Sequence, residues 1–261
     1  MPENPSLSRK HIPILKPKFR LFLYLFELIK RLCKPWSFLD ETFRQIHSVG
    51  TLSIPITAVA AVLIGMVIAL QFHDILIRFG ATGMLGSAVG LSLVLELAPL
   101  LTGLIITARV GSAICSELGI MRTESQIDAL ECMAIAPYAY LIVPRFLAIL
   151  IAAPLLAAIF ILAGATGGWL LATFAFDISH GAYVGAMADS VSSDDLKISM
   201  CKASLFGFLI AWICTAKGFI THLDHPSLLG EVGVGKSTTE AVVNTFIAIF
   251  IADYFISSLI G

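Results

Sequence analysis

Residues 147–174, LAILIAAPLLAAIFILAGATGGWLLATF, form an apolar run without a single charged side chain. A helix needs about 20 such residues to cross the hydrocarbon core of a bilayer. The whole chain has the same character, since 57% of its 261 residues are hydrophobic and 13% are charged. A soluble domain carries about 25% charged residues, so this composition excludes a soluble enzyme and a disordered chain. It predicts an integral membrane protein.

Four further segments are long and apolar enough to span a bilayer, so the sequence predicts an all-α integral membrane protein with about five transmembrane helices. Ahead of them, Phe19–Leu32 mixes aromatic and leucine side chains with charged ones, which is typical of an amphipathic helix lying on the membrane surface. The alternative is that Phe19–Leu32 belongs to a sixth span. The five predicted spans are Leu52–Gln71, Leu85–Ala108, Leu147–Phe174, Ile198–Phe219 and Ala241–Ile260.

The positions of the basic residues predict the orientation of the chain. Nine of the 17 lysines and arginines lie between Arg9 and Arg44, and the connections after the second and fourth spans carry most of the others. The connection 175–196 has none and contains four aspartates. Because basic connections remain in the cytoplasm, we expect a cytoplasmic N-terminus and, with five spans, a periplasmic C-terminus.

Small residues recur at four-residue spacing on two of the predicted spans. Such spacings allow helix backbones to approach closely in a lipid environment. The pattern predicts a tightly packed bundle and is compatible with a homodimer. The residues are Gly86 and Gly90, Gly164 and Gly168, and Gly103, Thr107 and Gly111.

Residues 114–137, ICSELGIMRTESQIDALECMAIAP, carry five charged side chains and must leave the hydrocarbon. Ile127, Leu130 and Met133 recur at helical spacing opposite the acidic side chains, which predicts an amphipathic helix on the cytoplasmic face, with Thr123 and Gln126 as a capping box. The pattern leaves two interpretations open. The segment is either a solvated connector resting on the membrane or a docking helix through which a soluble partner moves the spans.

The sequence between Leu93 and Arg145 contains long, specific motifs, and a second block follows at Gly233–Asp253. Together they resemble the MlaE/YrbE family, the permease subunits of bacterial ABC transporters that move lipids together with MCE-domain proteins. The resemblance implies a permease domain at 51–261, preceded by a basic cytoplasmic or interfacial segment at 1–50. Some members have arginine where this chain has Leu95, so no role of that arginine is carried over. The motifs are E-L-x-P at Glu96–Pro99, A-R-x-G-S-A at Ala108–Ala113, and the charged stretches Glu117–Gln126 and Asp128–Met133.

The same resemblance implies the partners and the location of the chain. It implies a homodimer in the bacterial inner membrane, a separate cytoplasmic ABC ATPase, a periplasmic MCE-domain protein and a phospholipid substrate moved between the inner membrane and the MCE partner, towards or from the outer membrane. A small cytoplasmic STAS-domain subunit is a further implied partner. Residues 114–137 would hold the coupling helix that contacts the ATPase. The residues implied in coupling are Arg109, Glu117, Arg122, Glu124 and Asp128.

Three ionisable residues, Glu96, Lys202 and Asp253, fall inside predicted spans. Inserting one such residue at the centre of a transmembrane helix costs about 2.5–3.5 kcal/mol, so we expect each to have a partner or a function that offsets this cost. One interpretation is a structural pair of Lys202 with Asp253 or Glu96, although Lys202 is also close enough to a span end to snorkel outward. The other is a polar patch that contacts a lipid headgroup or the mouth of an outer partner, which the resemblance favours. Pro99 predicts a helix distortion beside Glu96.

The predicted lipid pathway also needs an apolar wall for acyl chains. An alternative function remains open, namely an ion- or proton-coupled carrier that uses the three intramembrane charges as a relay and needs no ATPase. The wall is assigned to Ile64, Val67, Leu70, Leu93 and Leu97.

Gly230–Ser237 reads GEVGVGKS, a formal match to the phosphate-binding motif GxxxxGK[ST]. Such a loop follows a buried strand, but here the polar Thr221–Leu229 precedes it and a predicted span follows. We interpret the match as a false positive, with its glycines in a turn and Ser237 or Thr238 capping the last helix. The chain is therefore expected to be non-enzymatic and to hold no cofactor. Its scattered cysteines and histidines predict no metal site.

Overall fold

The computed structural model describes Tyr24, residues 39–224 and residues 230–260. Within these residues the chain is helical and contains no strand, which confirms the predicted all-α class. The predicted surface helix at Phe19–Leu32 lies outside the described residues except for Tyr24. The helices are α1 (Leu39–Val49), α2 (Ile54–Arg78), α3 (Thr82–Thr123), α4 (Gln126–Cys132), α5 (Tyr138–Phe176), α6 (His180–Ser190), α7 (Ser193–Asp224) and α8 (Glu231–Ile260).

Five of these helices, α2, α3, α5, α7 and α8, are long and apolar enough to cross a membrane, as predicted. These helices are longer than the predicted spans. Charged residues at their ends are solvated at the membrane surface, so the helix can continue through them. The short α4 connects α3 to α5, and the short α6 connects α5 to α7 at the other end of the bundle. We refer to these as the α4 end and the α6 end. The amphipathic α1 precedes α2 at the α4 end.

The helix α3 contains two π-helical turns, at Leu93–Leu97 and Thr107–Gly111. Pro99 lies just after the first of them and has no N–H to donate to the carbonyl of Leu95, four residues earlier. The distortion predicted beside Pro99 is therefore confirmed as a π-turn. It leaves the Leu95 carbonyl available to a side chain from another helix.

An extensive contact between helices joins α2 to α5 and depends on glycine. A Cβ atom on Gly65 would lie 2.0 Å from the carbonyl oxygen of Gly164, and one on Gly167 would lie 2.3 Å from that of Val62. The two backbones therefore touch directly. In lipid, where apolar side chains gain little by leaving the solvent, such backbone contacts supply dispersion energy that holds the helices together.

The glycines of α3 are also used for close packing inside the chain. Gly86 lies against the backbone of Tyr183 in α6, and Gly111 lies against the Cys214 sulfur of α7. The Tyr183 phenol lies against Gly168 of α5, where burial raises its pKa to about 12 and keeps it neutral. The predicted tight bundling is confirmed, but these glycines contact their own chain and do not themselves indicate a homodimer.

The short helix predicted within 114–137 is present as α4, but its predicted cap at Thr123 is wrong. The helix α3 continues through Thr123, whose hydroxyl donates to the Ile120 carbonyl (2.9 Å) instead of capping a new helix. The chain then bends at Ser125, where φ is +59°, and α4 begins at Gln126. The physical reason is that the charged residues up to Thr123 are solvated beyond the hydrocarbon and nothing in them breaks the helix.

The predicted turn before the last helix is found at Gly230 alone, since Gly233 and Gly235 lie inside the helix, and the predicted cap is wrong. The helix α8 begins at Glu231, directly after Gly230, whose φ of +85° suits a residue without a side chain. Ser237 and Thr238 therefore lie inside the helix and do not cap it. The hydrogen bonds of the Ser237 hydroxyl are described below.

Candidate functional site

The three intramembrane charges come together from three helices. The Lys202 ammonium of α7 lies 3.0 Å from the Glu96 Oε1 of α3 and 3.6 Å from the Asp253 Oδ1 of α8. We name Glu96, Lys202, Asp253 and Ser257 the ion cluster. The predicted pairing of Lys202 with Glu96 or Asp253 is confirmed, with both carboxylates on the one lysine.

The Lys202 side chain is buried, with 2% of its surface exposed, and its ammonium is fully engaged. It donates to Glu96, to the Ser257 hydroxyl (2.8 Å) and to the Leu95 carbonyl (3.0 Å) that Pro99 leaves free. Three acceptors satisfy the three N–H donors of a lysine. The expectation that Lys202 snorkels outward is wrong, because these buried acceptors lie within reach and remove the need to reach water.

The ion cluster is open on the side of Glu96. The Glu96 side chain is 46% exposed, whereas that of Asp253 is 16% exposed. Ser257 donates its hydroxyl to Glu96 (3.0 Å), while the buried Asp253 Oδ1 accepts no hydrogen bond from any described residue. With two carboxylates and one ammonium, the ion cluster carries a formal charge of −1 and presents acceptors to whatever group approaches Glu96.

The five residues assigned to an apolar wall do not share one surface. Val67 and Leu70 are about half exposed on α2, and Ile64 and Leu97 pack partly against the core between α2, α3 and α5. Leu93 is fully buried and would contact any Cβ placed on Gly164. Its assignment to an open wall is wrong, because it fills the space over that glycine inside the chain.

The residues assigned to coupling form four separate contacts rather than one cluster. Glu117 pairs with Arg145 of α5 (3.0 Å), and Arg122 pairs with Asp128 across the bend between α3 and α4 (3.1 Å). Glu124 is exposed at the bend and accepts a hydrogen bond from Gln126 (2.6 Å). Arg109 lies in the second π-turn of α3 and donates to the Ser53 hydroxyl at the start of α2.

The bend between α3 and α4 is tied to the interior of the bundle. The Arg122 guanidinium lies 5.5 Å from the centre of the Phe219 ring in α7, a cation–π contact. Tyr24 packs on the same ring at 6.1 Å. Ile127 of α4 is buried, but Met133, the residue directly after α4, is 61% exposed, so the predicted apolar face ends before Met133. The surface formed by α4 and Met133 therefore presents an exposed apolar side chain beside acidic ones.

The Walker-like segment is the first part of α8, not a loop. Ser237 donates to the Lys217 carbonyl of α7 (3.1 Å) and contacts the Thr221 hydroxyl (3.1 Å). Val234 packs against Gly119 of α3, while Lys236 is exposed. Inside a helix the backbone N–H groups donate to carbonyls of the same helix and do not converge on a phosphate. The Walker-like segment therefore serves helix packing here.

Two residues of these sites escape the sequence reasoning. Ser257 is one of several serines near the end of α8, and its sequence context gives no sign that it bonds Glu96. Arg145 is one of the basic residues between the second and third spans, and the long apolar run after it places it at the start of a span. That position, with Pro144 before it, is the signal that could have marked it.

The comparison with known proteins agrees with this architecture. The family described as Permease MlaE matches residues 42–259. The chain belongs to this family. The MlaE-family chain is 36% identical over 237 residues to a probable ABC transporter permease protein of Rickettsia prowazekii, covering 91% of this chain and 89% of the relative.

Two further relatives match this MlaE-family permease over most of its length. One is a probable ABC transporter permease protein of Synechocystis, 36% identical over 219 residues, which covers 84% of this chain and 81% of the relative. The other is the intermembrane phospholipid transport system permease protein MlaE of Haemophilus influenzae, 33% identical over 217 residues, with coverage of 83% and 81%. The five long apolar helices and the family together make this chain a multi-pass membrane protein.

Proposed function

We propose that this MlaE-family permease moves phospholipid between the inner membrane and a periplasmic MCE-domain partner, towards or from the outer membrane, driven by a separate ATPase. The observation that carries the proposal is the ion cluster, a half-open polar site enclosed by three apolar helices. The name of the Haemophilus influenzae relative, an intermembrane phospholipid transport system permease, supports phospholipid as the substrate. In this proposal ATP is bound by the ATPase subunit and this chain holds no cofactor.

The ion cluster is suited to a lipid headgroup rather than to an acyl chain. Exposed carboxylate oxygens accept hydrogen bonds from an ammonium or a hydroxyl, and Glu96 offers such oxygens to the open side. The buried Lys202 holds both carboxylates in place, so the site is preorganised before a lipid arrives. Exposed apolar residues of α2, such as Val67 and Leu70, are our proposed acyl-chain surface, to be completed by a second copy in a homodimer.

The second part of the proposal concerns coupling to ATP. The basic N-terminal segment and the connections at the α4 end support a cytoplasmic α4 end, with the C-terminus on the periplasmic side. An ATPase, and a STAS-domain subunit where one is present, would dock there. A push on α4 would pass through the Arg122–Asp128 pair and the Phe219 ring to α7, and through Glu117–Arg145 to α5. Arg109 would link α3 to α2 through Ser53.

Reversing the charge at the exposed bend should weaken the ATPase contact without unfolding the permease. For Glu124→Lys we expect about tenfold less ATPase in the co-purified complex. The reason is that a lysine at the edge of the interface would repel a partner surface that is complementary to an acidic residue. The thermal stability should change little, since Glu124 is exposed. Co-purification and a melting curve on the same sample measure both effects.

The matched control is Asp189→Lys, an equally exposed acidic residue on α6 at the other end of the bundle. It should leave the amount of ATPase unchanged. A Glu124→Lys permease that brings down as much ATPase as the wild type would contradict the assignment of this bend to coupling.

The overall function is tested by purifying the tagged chain in mild detergent and assaying the eluate for ATPase activity and for phospholipid. We expect both. An ion- or proton-coupled carrier would use the same ion cluster but would need no ATPase. A chain that purifies without any ATPase even after crosslinking, and that responds to a proton gradient, would establish the carrier and overturn the proposal.

A further inference from the structure

A cleft of about 310 Å³ opens at the α4 end, between α1, α3 and α5. Its volume falls at the lower limit of the range found for small-molecule sites. It lies at the opposite half of the bundle from the ion cluster, because Lys202 is about 20 residues, or roughly 30 Å of helix, from the α4 end of α7. Its polar lining consists of Glu41, Arg44 and Gln45 of α1 and Tyr140 and Arg145 of α5.

Arg145 is the residue that gives the cleft a binding chemistry. Its side chain is only 10% exposed, and its Nη2 donates to the exposed Glu117 at 3.0 Å. Its Nη1 is buried and has no hydrogen-bond partner among the described residues. A buried guanidinium donor without an acceptor is rare in native proteins, because it loses its hydration and gains nothing in return. Arg145, which lines the cleft, therefore carries one donor that no described residue satisfies.

The charges around the cleft are balanced. Arg44 is 83% exposed and lies only loosely against Glu41, at 3.9 Å. Glu41 in turn accepts a hydrogen bond from Gln45 (3.0 Å). Two arginines thus line the cleft together with Glu41, and Glu117 pairs with Arg145. A free phosphate dianion would meet these carboxylates, whereas a group with one negative and one positive charge matches both signs.

The position of the cleft suits a lipid. Met121, Leu141 and Pro144 supply an apolar part of its wall, and Tyr140 lies at its edge. Tyrosine at the level where a span meets the surface is typical of the headgroup region. The amphipathic α1 borders the cleft on the membrane-surface side.

We propose that this cleft binds the zwitterionic headgroup of a phospholipid from the leaflet at the α4 end. Arg145 and Arg44 hold the phosphate, and Glu41 accepts from the ammonium. The site is distinct from the ion cluster and does not depend on the transport function proposed above. It fixes a lipid where α1 meets α3 and α5, beside the Glu117–Arg145 pair.

The test uses the full chain with a photoreactive residue in the cleft, Met121→p-benzoylphenylalanine. The protein is reconstituted into vesicles of equal amounts of phosphatidylethanolamine and phosphatidylglycerol, irradiated and analysed by mass spectrometry. We expect the phosphatidylethanolamine adduct to dominate. Arg44→Gln in the same background should reduce that adduct about tenfold, the effect of losing one charge-assisted hydrogen bond.

Arg44 is a surface residue, so its replacement keeps the fold, and Arg145→Gln serves as a second variant with the same expected loss. The matched control is Arg78→Gln, an exposed arginine at the α6 end, which should leave the adduct unchanged. Adducts in equal proportion for the two lipids, or an adduct unaffected by Arg44→Gln, would overturn the proposal. Loss of the adduct on adding inorganic phosphate would assign the arginines to a free phosphate and would overturn the headgroup assignment.

Discussion

Replacing the buried lysine, Lys202→Met, is expected to lower the free energy of unfolding by about 3 kcal/mol, at the lower end of the range for breaking a buried ion pair because Glu96 is half exposed. The loss arises because Glu96 and Asp253 would face each other inside the bundle without a cation. The Leu95 carbonyl and Ser257 would also lose a donor. Unfolding of the purified protein in detergent, followed by fluorescence, measures the difference.

A matched lysine on the same helix provides the control. Lys197 pairs with Asp194 at 2.8 Å, but both side chains are about three-quarters exposed or more. Lys197→Met should therefore cost less than about 1 kcal/mol, as exposed ion pairs generally do. The neutral triple variant Glu96→Gln, Lys202→Met and Asp253→Asn should recover most of the lost stability, since no uncompensated charge remains. Equal losses for Lys202→Met and Lys197→Met would contradict the buried ion cluster.

The second large effect is expected where α2 touches α5. For Gly65→Ala we expect a loss of about 3 kcal/mol, the upper part of the usual range for overpacking. The added Cβ would lie 2.0 Å from the Gly164 carbonyl oxygen, and a backbone atom cannot move aside as a flexible side chain can. The extensive contact between α2 and α5 would have to separate. A lower melting temperature and early aggregation in size-exclusion chromatography would report it.

The control for this substitution is Gly185→Ala in α6, where no described atom lies within 4 Å of the added Cβ. Because alanine favours a helix over glycine by about 0.5–1 kcal/mol, this variant should be as stable as the wild type or slightly more stable. A Gly65→Ala protein that melts together with Gly185→Ala would show that the two backbones do not touch.

The spans can be predicted from the sequence because a membrane helix must be apolar over a fixed length, and that requirement is local. The ends of the helices cannot be predicted in this way. Residues 112–123 carry charges and still continue α3, because a helix leaving the hydrocarbon is free to continue in water. The bend at Ser125 depends on one left-handed residue, a conformation that serine only occasionally adopts and that no pattern marks.

The ion cluster was partly predictable for a related reason. Charged residues in a span must be neutralised, so Glu96, Lys202 and Asp253 could be expected to meet. Leu93 could not be placed, since lipid-facing and buried positions of a membrane helix are equally apolar and only the opposing Gly164 distinguishes them. Ser257 could not be found either, because most serines in apolar helices bond their own backbone.

The most direct measurement of the central claim is native mass spectrometry of phospholipid bound to the wild type and to the neutral triple variant of the ion cluster. Both proteins should be folded, because the triple variant leaves no unpaired charge. If the ion cluster holds the headgroup, the occupancy of this one lipid site should fall about tenfold in the variant, the effect of losing a charge-assisted contact, while a phospholipid bound in the α4-end cleft should remain in both proteins. Equal amounts of bound phospholipid in two folded proteins would contradict the account.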